Sequence, residues 1–263
     1  MNLEEKALFG IPIVTEFGEF KPLSVYDYMD CAHLLQAIAF NKKRVLHEVR
    51  LTQPKEKRNS KDFTNLLKKI DSEHSLLQVL QEITPQFLQA YAEVFIRCRV
   101  FPEDTPKEEK SAESALNFLL ELTSEQFDEV RGILLAINAQ AEQDAFLDPE
   151  LQNKKERSLK FVSQGNDSEA PNPSTLITSV VAFTGIPFQE ITQWNVTQLQ
   201  HMFQRVGLFQ AYNMYVSVAP MAGDSIKPTN WAENILTQND SNTDSKFAVK
   251  FDSFKKQMGD VLN

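Results

Sequence analysis

The sequence predicts a mainly α fold: a multi-helical globular domain with a small N-terminal β-hairpin and a tethered C-terminal amphipathic helix. Apolar residues recur at three- and four-residue intervals along most of the chain, the period of one helix face. Side chains that cap helices stand where those runs begin. Only 8 glycines occur among 263 residues, which leaves little material for tight β turns or phosphate-cradling loops.

At the N-terminus, Ala7 to Val14 and Glu19 to Leu23 flank Phe17-Gly18 and are expected to pair as a hairpin lying on the first helix. Ser24 caps that helix, and Asp27 favours its positive first turn. Its apolar positions, including Leu34, Leu35 and Ile38, run to Phe40. Phe63, Leu66, Leu67, Ile70, Leu77 and Leu80 are spaced as one long helical face. Thr84-Pro85 restarts the chain, because proline suits the first helical position, where its missing N–H costs nothing. Phe87, Tyr91, Val94 and Phe95 form the next face. Phe101 to Lys110, rich in proline and charge, reads as a loop, followed by a helix over Ala112 to Leu122. Thr123 with Gln126 makes a capping box for a helix bearing Phe127, Val130, Leu134 and Ile137. Asp148-Pro149 opens one more charged helix, which fades by Gly165.

These elements divide the chain into a hairpin plus helical lobe (1–163), a linker (164–173) and a C-terminal helical lobe (174–236). A flexible tether (237–245) and an amphipathic tail (246–263) follow. The linker assignment rests on GNDSEAPNP, which lacks large apolar residues and ends in helix-breaking chemistry. In the second lobe, Ser174 opens a helix carrying Leu176, Ile177, Val180, Val181 and Phe183 until Gly185 and Pro187 stop it. Asn195, with Gln198, caps the next, which bears Leu199, Met202, Phe203 and Val206. Gly207 is expected to interrupt it. Phe209, Tyr212, Tyr215 and Val216 then continue in a further helix ended by Pro220 and Gly223, and Thr229 starts a short one with Trp231 and Ile235. TQNDSNTDS at 237–245 has too little apolar surface to order itself. Beyond it, Phe247, Phe251, Phe254, Met258 and Val261 recur at offsets of four, three, four and three, a continuous stripe if helical. Gly259 weakens its end, so the helix is expected to form when docked.

Composition narrows the function. A net charge of −9 and a pI near 5.1 oppose binding to a phosphate backbone. The basic run PKEKRNSK, Pro54 to Lys61, reads as a solvated interhelical loop. No stretch approaches the roughly 20 apolar residues that cross a bilayer, so neither nucleic acid nor membrane is an expected partner. Cys31 and Cys98 sit in apolar helical patterns and read as buried free thiols; a disulfide would need an oxidising compartment. His33, His47, His74 and His201 show no metal-ligand spacing, and GxSxG, Walker A and GxGxxG motifs are absent. No catalytic, cofactor-binding or metal-binding residue is therefore assigned, and the chain is not expected to be an enzyme.

PSTLITSVVAFTG at 173–185, EITQWNVTQLQHMFQRV at 190–206 and YNMYVSVAPMAGDSIKPTNWAENI at 212–235 follow one another in a recognisable order. With LFGIPIVTEFGEFKPLSVYDYMD at 8–30, this order resembles the tail assembly chaperones of long-tailed phages, especially those infecting Gram-positive hosts. The likeness covers roughly the first fifty and last ninety residues; Leu51 to Asp167 matches only as a helical region. The resemblance implies several copies coating an elongated tape measure protein, keeping it soluble and bringing tail tube subunits to it. It implies absence from the mature virion; with no basic-apolar leader or spanning stretch the chain is expected in the host cytoplasm, and a stripe like the tail's could support homo-oligomers. The alternative is a permanent neck or tail connector subunit of the particle.

The partner-binding candidates are Phe203, Phe209, Tyr212, Tyr215, Phe247, Phe251, Phe254 and Met258. For the first four, with Trp231, core packing accounts for most of the group, and a groove for a partner's amphipathic helix is the functional alternative. For the tail stripe, docking on its own domain and contact with another molecule are equally open.

Overall fold

The computed structural model of the chain describes residues 1–163, 172–222 and 231–232. The tether at 237–245 and the tail, with Phe247, Phe251, Phe254 and Met258, lie outside the described residues, as does most of the linker at 164–173. The architecture is mainly helical with one small antiparallel sheet.

The chain opens on helix α1 (Leu3–Leu8), strand β1 (Ile13–Thr15) and strand β2 (Gly18–Phe20). Helices α2 (Val25–Ala39), α3 (Lys42–Thr52), α4 (Lys55–Arg58), α5 (Lys61–Glu73), α6 (Leu76–Glu82) and α7 (Pro85–Cys98) follow, then strand β3 (Arg99–Val100). Helices α8 (Ala112–Glu121), α9 (Ser124–Ile137) and α10 (Pro149–Ser163) complete the first part. The second part holds α11 (Pro173–Thr184), α12 (Phe188–Ile191) and α13 (Val196–Ala222).

The hairpin forms, but its strands are shorter than expected. Ala7 and Leu8 belong to α1 instead, because Asn2 and Glu5 cap that helix reciprocally, at 2.8 and 2.9 Å, and Ala7 is fully buried. Ile13 pairs with Phe20, and Arg99-Val100 adds a third strand to β2. At Gly18, φ is +123° and an added Cβ would lie 3.2 Å from Arg99 Nε, so the turn needs a residue without one.

Three other expectations are corrected. The face drawn from Phe63 to Leu80 is broken at His74, where Ser75 and Gln78 cap a new helix, and Leu66 points to solvent. Lys42 Nζ donates to the carbonyls of Asp71 and His74, at 2.5 and 2.8 Å, and so satisfies the end of α5. Within Pro54–Lys61, Lys55–Arg58 makes one helical turn rather than loop. Finally, α13 runs unbroken through Gly207 and Pro220. A helical glycine costs about 1 kcal/mol relative to alanine; burial of the adjacent Leu208 outweighs it.

The main core is largely aliphatic, with a few aromatic contacts, and joins helices with the sheet. Phe20 meets Phe95 edge-on at 5.3 Å, Phe95 stacks on Phe118 at 5.3 Å, and Tyr91 packs against Phe127 at 5.1 Å. Beside it lies a polar knot built on Arg131, which is almost fully buried. Its Nε donates to Ile38 O at 3.2 Å and Tyr91 Oη at 3.1 Å, and its Nη2 donates to Ala39 O and Phe40 O at 3.2 and 3.1 Å. Those carbonyls end α2 and have no partner within the helix, so a cation suits them. Nη1 reaches Glu142 at 2.6 Å, and Tyr91 Oη donates to Ile38 O at 3.0 Å. Burial pushes the Tyr91 phenol up to about 12, so it stays a neutral donor.

Arg131→Met should lower stability by about 3 kcal/mol or more in urea unfolding, because it strands buried carbonyls and a phenol. Glu142→Gln should cost under about 1 kcal/mol, since the Glu142 carboxylate is half-exposed. His47 gives a pH test. Burial first, and Arg44 second, hold its pKa below the ordinary value, so the folded state takes up a proton there less readily than the unfolded chain. Below about pH 6.5 the unfolded chain binds a proton there more fully than the folded chain, so stability falls with acidification. The slope of Tm against pH in that window should flatten in His47→Gln.

Candidate partner-binding surface

The second part of the chain is placed by local capping and then fastened by long-range hydrogen bonds. Asn172 accepts from Thr175 N at 2.8 Å and Pro173 takes the first helical position, so α11 begins there. It stops at Gly185, whose φ of +70° closes the helix through a bond from its N–H to Val181 O at 2.9 Å. Asn195 and Gln198 form the expected capping box at 2.9 and 3.0 Å and start α13. Asn195 Nδ2 also donates to Ala7 O at 2.9 Å, and Thr197 Oγ1 donates to Ile137 O at 2.7 Å. Val25 N donates to Trp194 O and Val196 N to Leu23 O, at 2.8 and 2.9 Å. A small second core then closes over the junction: Val25, Leu176, Ile177, Val180, Ile191 and Leu199, with Met202 and Phe203 packed against it.

This anchoring holds only the first part of α13. Among the described side chains of that helix, Leu208 is the last buried one. Beyond it Phe209 is 46% exposed, and Met214 and Val216 are exposed as well. Across from them, at the end of α11, Phe183 is 55% exposed. Between the two helices runs a groove lined by Phe183, Thr184, Arg205, Val206, Phe209 and Trp231. Trp231 meets Phe209 edge-on at 5.6 Å, and Arg205 Nη1 donates to Trp231 O at 2.5 Å.

The candidates from the sequence are thus sorted. Phe203 packs on the second core, half-buried. Phe209 and Trp231 come together in the groove, while Tyr212 and Tyr215 lie farther along α13, half-buried. Among the described residues, Phe209 and Trp231 are exposed and Phe203, Tyr212 and Tyr215 are half-buried, so none of the group is fully buried. Phe183 is the surface residue that spacing missed. It follows the apolar rhythm of α11, yet it stands at that helix's end, 55% exposed.

Among the described residues, no group of three or more His, Cys, Asp and Glu is placed to hold a metal. Cys31 and Cys98 are free and buried, and burial pushes their thiols up to about 11 and about 12, far from nucleophilic thiolates. No helix among the described residues is long and apolar enough to cross a membrane.

Residues 1–145 match the profile of the YomV N-terminal domain, and residues 165–236 match that of the YomV second domain. The chain belongs to the YomV family. A similar protein is the "SPbeta prophage-derived uncharacterized protein YomV" of Bacillus subtilis (strain 168), 24% identical over 234 residues, 89% of each chain. No solved structure matches. The groove from Phe183 to Trp231 falls wholly within the YomV second domain, and the hydrogen bonds from Asn195, Val196 and Thr197 fasten that domain to the YomV N-terminal domain.

Substitution separates surface from core here. Phe209→Ser, at a groove residue that is 46% exposed, should cost less in urea unfolding than a change in the second core. Leu199→Ala should cost about 2–5 kcal/mol. Both thiols should resist a colorimetric thiol reagent at neutral pH and react fully once denaturant is added.

Proposed function

We propose that the chain is a phage tail assembly chaperone, a protein without enzymatic activity that binds the tape measure protein in the host cytoplasm and helps recruit tail tube subunits. The observation that carries this reading is the apolar groove of α11 and α13, open on the surface of an acidic protein. Further support comes from the resemblance of the sequence order to that of tail chaperones and from the prophage origin of the similar Bacillus subtilis protein. A groove with aromatic walls suits the apolar face of an amphipathic helix. A tape measure protein offers many such faces along one chain, and covering them prevents aggregation. Contacts of modest strength repeated over many copies hold by avidity and release together when the tube grows. Homo-oligomerisation along the tape measure fits that arrangement. A transient role of this kind leaves the protein out of the finished particle.

Coexpression tests this. The tape measure protein of the same phage should become soluble and coelute with the chain, and Phe183→Asp/Phe209→Asp should reduce recovery of the complex at least tenfold while the variant itself stays folded. An insoluble tape measure protein in the presence of the wild-type chain would reject the reading. Stoichiometric recovery of the chain from purified particles would instead assign it to a neck or tail connector.

A further inference from the structure

We infer that the stripe Phe247 to Val261 docks as an amphipathic helix in the groove between α11 and α13 of its own chain. Under the proposed function, a partner helix then gains the groove by displacing it; the docking itself does not depend on that reading.

The course of the chain brings the stripe to the groove. Helix α13 rises 1.5 Å per residue, so Ala222 stands about 20 Å beyond Phe209. Trp231 nevertheless packs against Phe209, and its carbonyl accepts from Arg205, one turn earlier still. Trp231 thus returns the described chain to the groove. At Ala232 it stands at the groove wall, with 31 residues of sequence still to place.

Length and pattern then fit the occupant. The fifteen residues from Ala232 to Phe247 include TQNDSNTDS, and as a flexible chain they span on the order of 20 Å. That keeps the stripe at an effective concentration in the millimolar range, well above what a second copy supplies at ordinary protein concentrations. As a helix, 247–261 covers about 21 Å, close to the roughly 17 Å of α13 from Arg205 to Val216. One face carries Phe247, Phe251, Phe254, Met258 and Val261, and Asp252, Ser253, Lys256 and Asp260 lie on the other. The groove lies within the match to the YomV second domain, which spans 165–236, and the stripe lies beyond it.

Hydrogen exchange read by mass spectrometry on the full chain tests the docking from both sides. Phe251→Asp/Phe254→Asp should speed exchange several-fold at the end of α11 and over 203–216, and shift Trp231 emission to the red. Phe209→Asp should reciprocally speed exchange over 247–261. Unchanged exchange in both variants would overturn the inference. Protection of 247–261 that grows with protein concentration would also overturn it, by giving the groove to a second copy. Loss of tape measure solubilisation with these exchange effects intact would reject the proposed function alone.

Discussion

Arg131 is where the first lobe is tied together. Helix α2 ends at Ala39, and the carbonyls of its last turn face the protein interior, where water does not reach them. A buried polar group without a partner costs several times what a paired one contributes. One guanidinium resolves this by donating to three successive carbonyls 91 to 93 residues away, while Tyr91 on α7 shares its Nε. The same side chain, through Glu142, holds the segment after α9, where Gln143 N donates to Ala39 O and Asn41 N to Gln143 O. Helices α2, α7 and α9 and the entry to α3 thus meet at one cation.

A second polar clasp extends this frame to the other domain. Asn138, fully buried at the end of α9, accepts from Leu23 N at 2.9 Å and donates to Leu134 O at 2.8 Å. Leu23 O in turn accepts from Val196 N, at the start of α13. Helix α13 is therefore fixed at its base by the first lobe and by the second core, and continues past both. An exposed apolar face on a helix so anchored has a defined direction and little freedom at its root. That suits presentation of a groove better than it suits a core.

Much of the helical framework was legible in the sequence because capping is local. Ser24, Thr123 with Gln126, Asn195 with Gln198, and Gly185 each act within four residues, and each stands where the reading put it. What depended on distant partners was not legible. The rhythm of α3 is obscured by Lys42, Lys43, Arg44 and the buried Arg50, so that helix carried no clear apolar face. Strand β3 is two residues long and exists only because β2 lies beside it. Gly207 looked like a stop because its local cost is visible and the neighbouring burial that outweighs it is not. Arg131 looked like any charged residue on a helix, since its carbonyl partners are 91 to 93 residues away. The groove was half legible: spacing marked Phe209 and Trp231, but exposure, which separates a surface aromatic from a core one, is a tertiary property.

The claim that matters most is that this groove is where a partner helix binds, and site-specific photocrosslinking in infected cells tests it directly. A photoreactive phenylalanine analogue at Phe209, in the groove, should form a covalent adduct with the tape measure protein. The same analogue at Tyr26, which is 68% exposed on the first lobe, should form little or none. Adducts from Tyr26 and none from Phe209 would contradict the assignment of the groove.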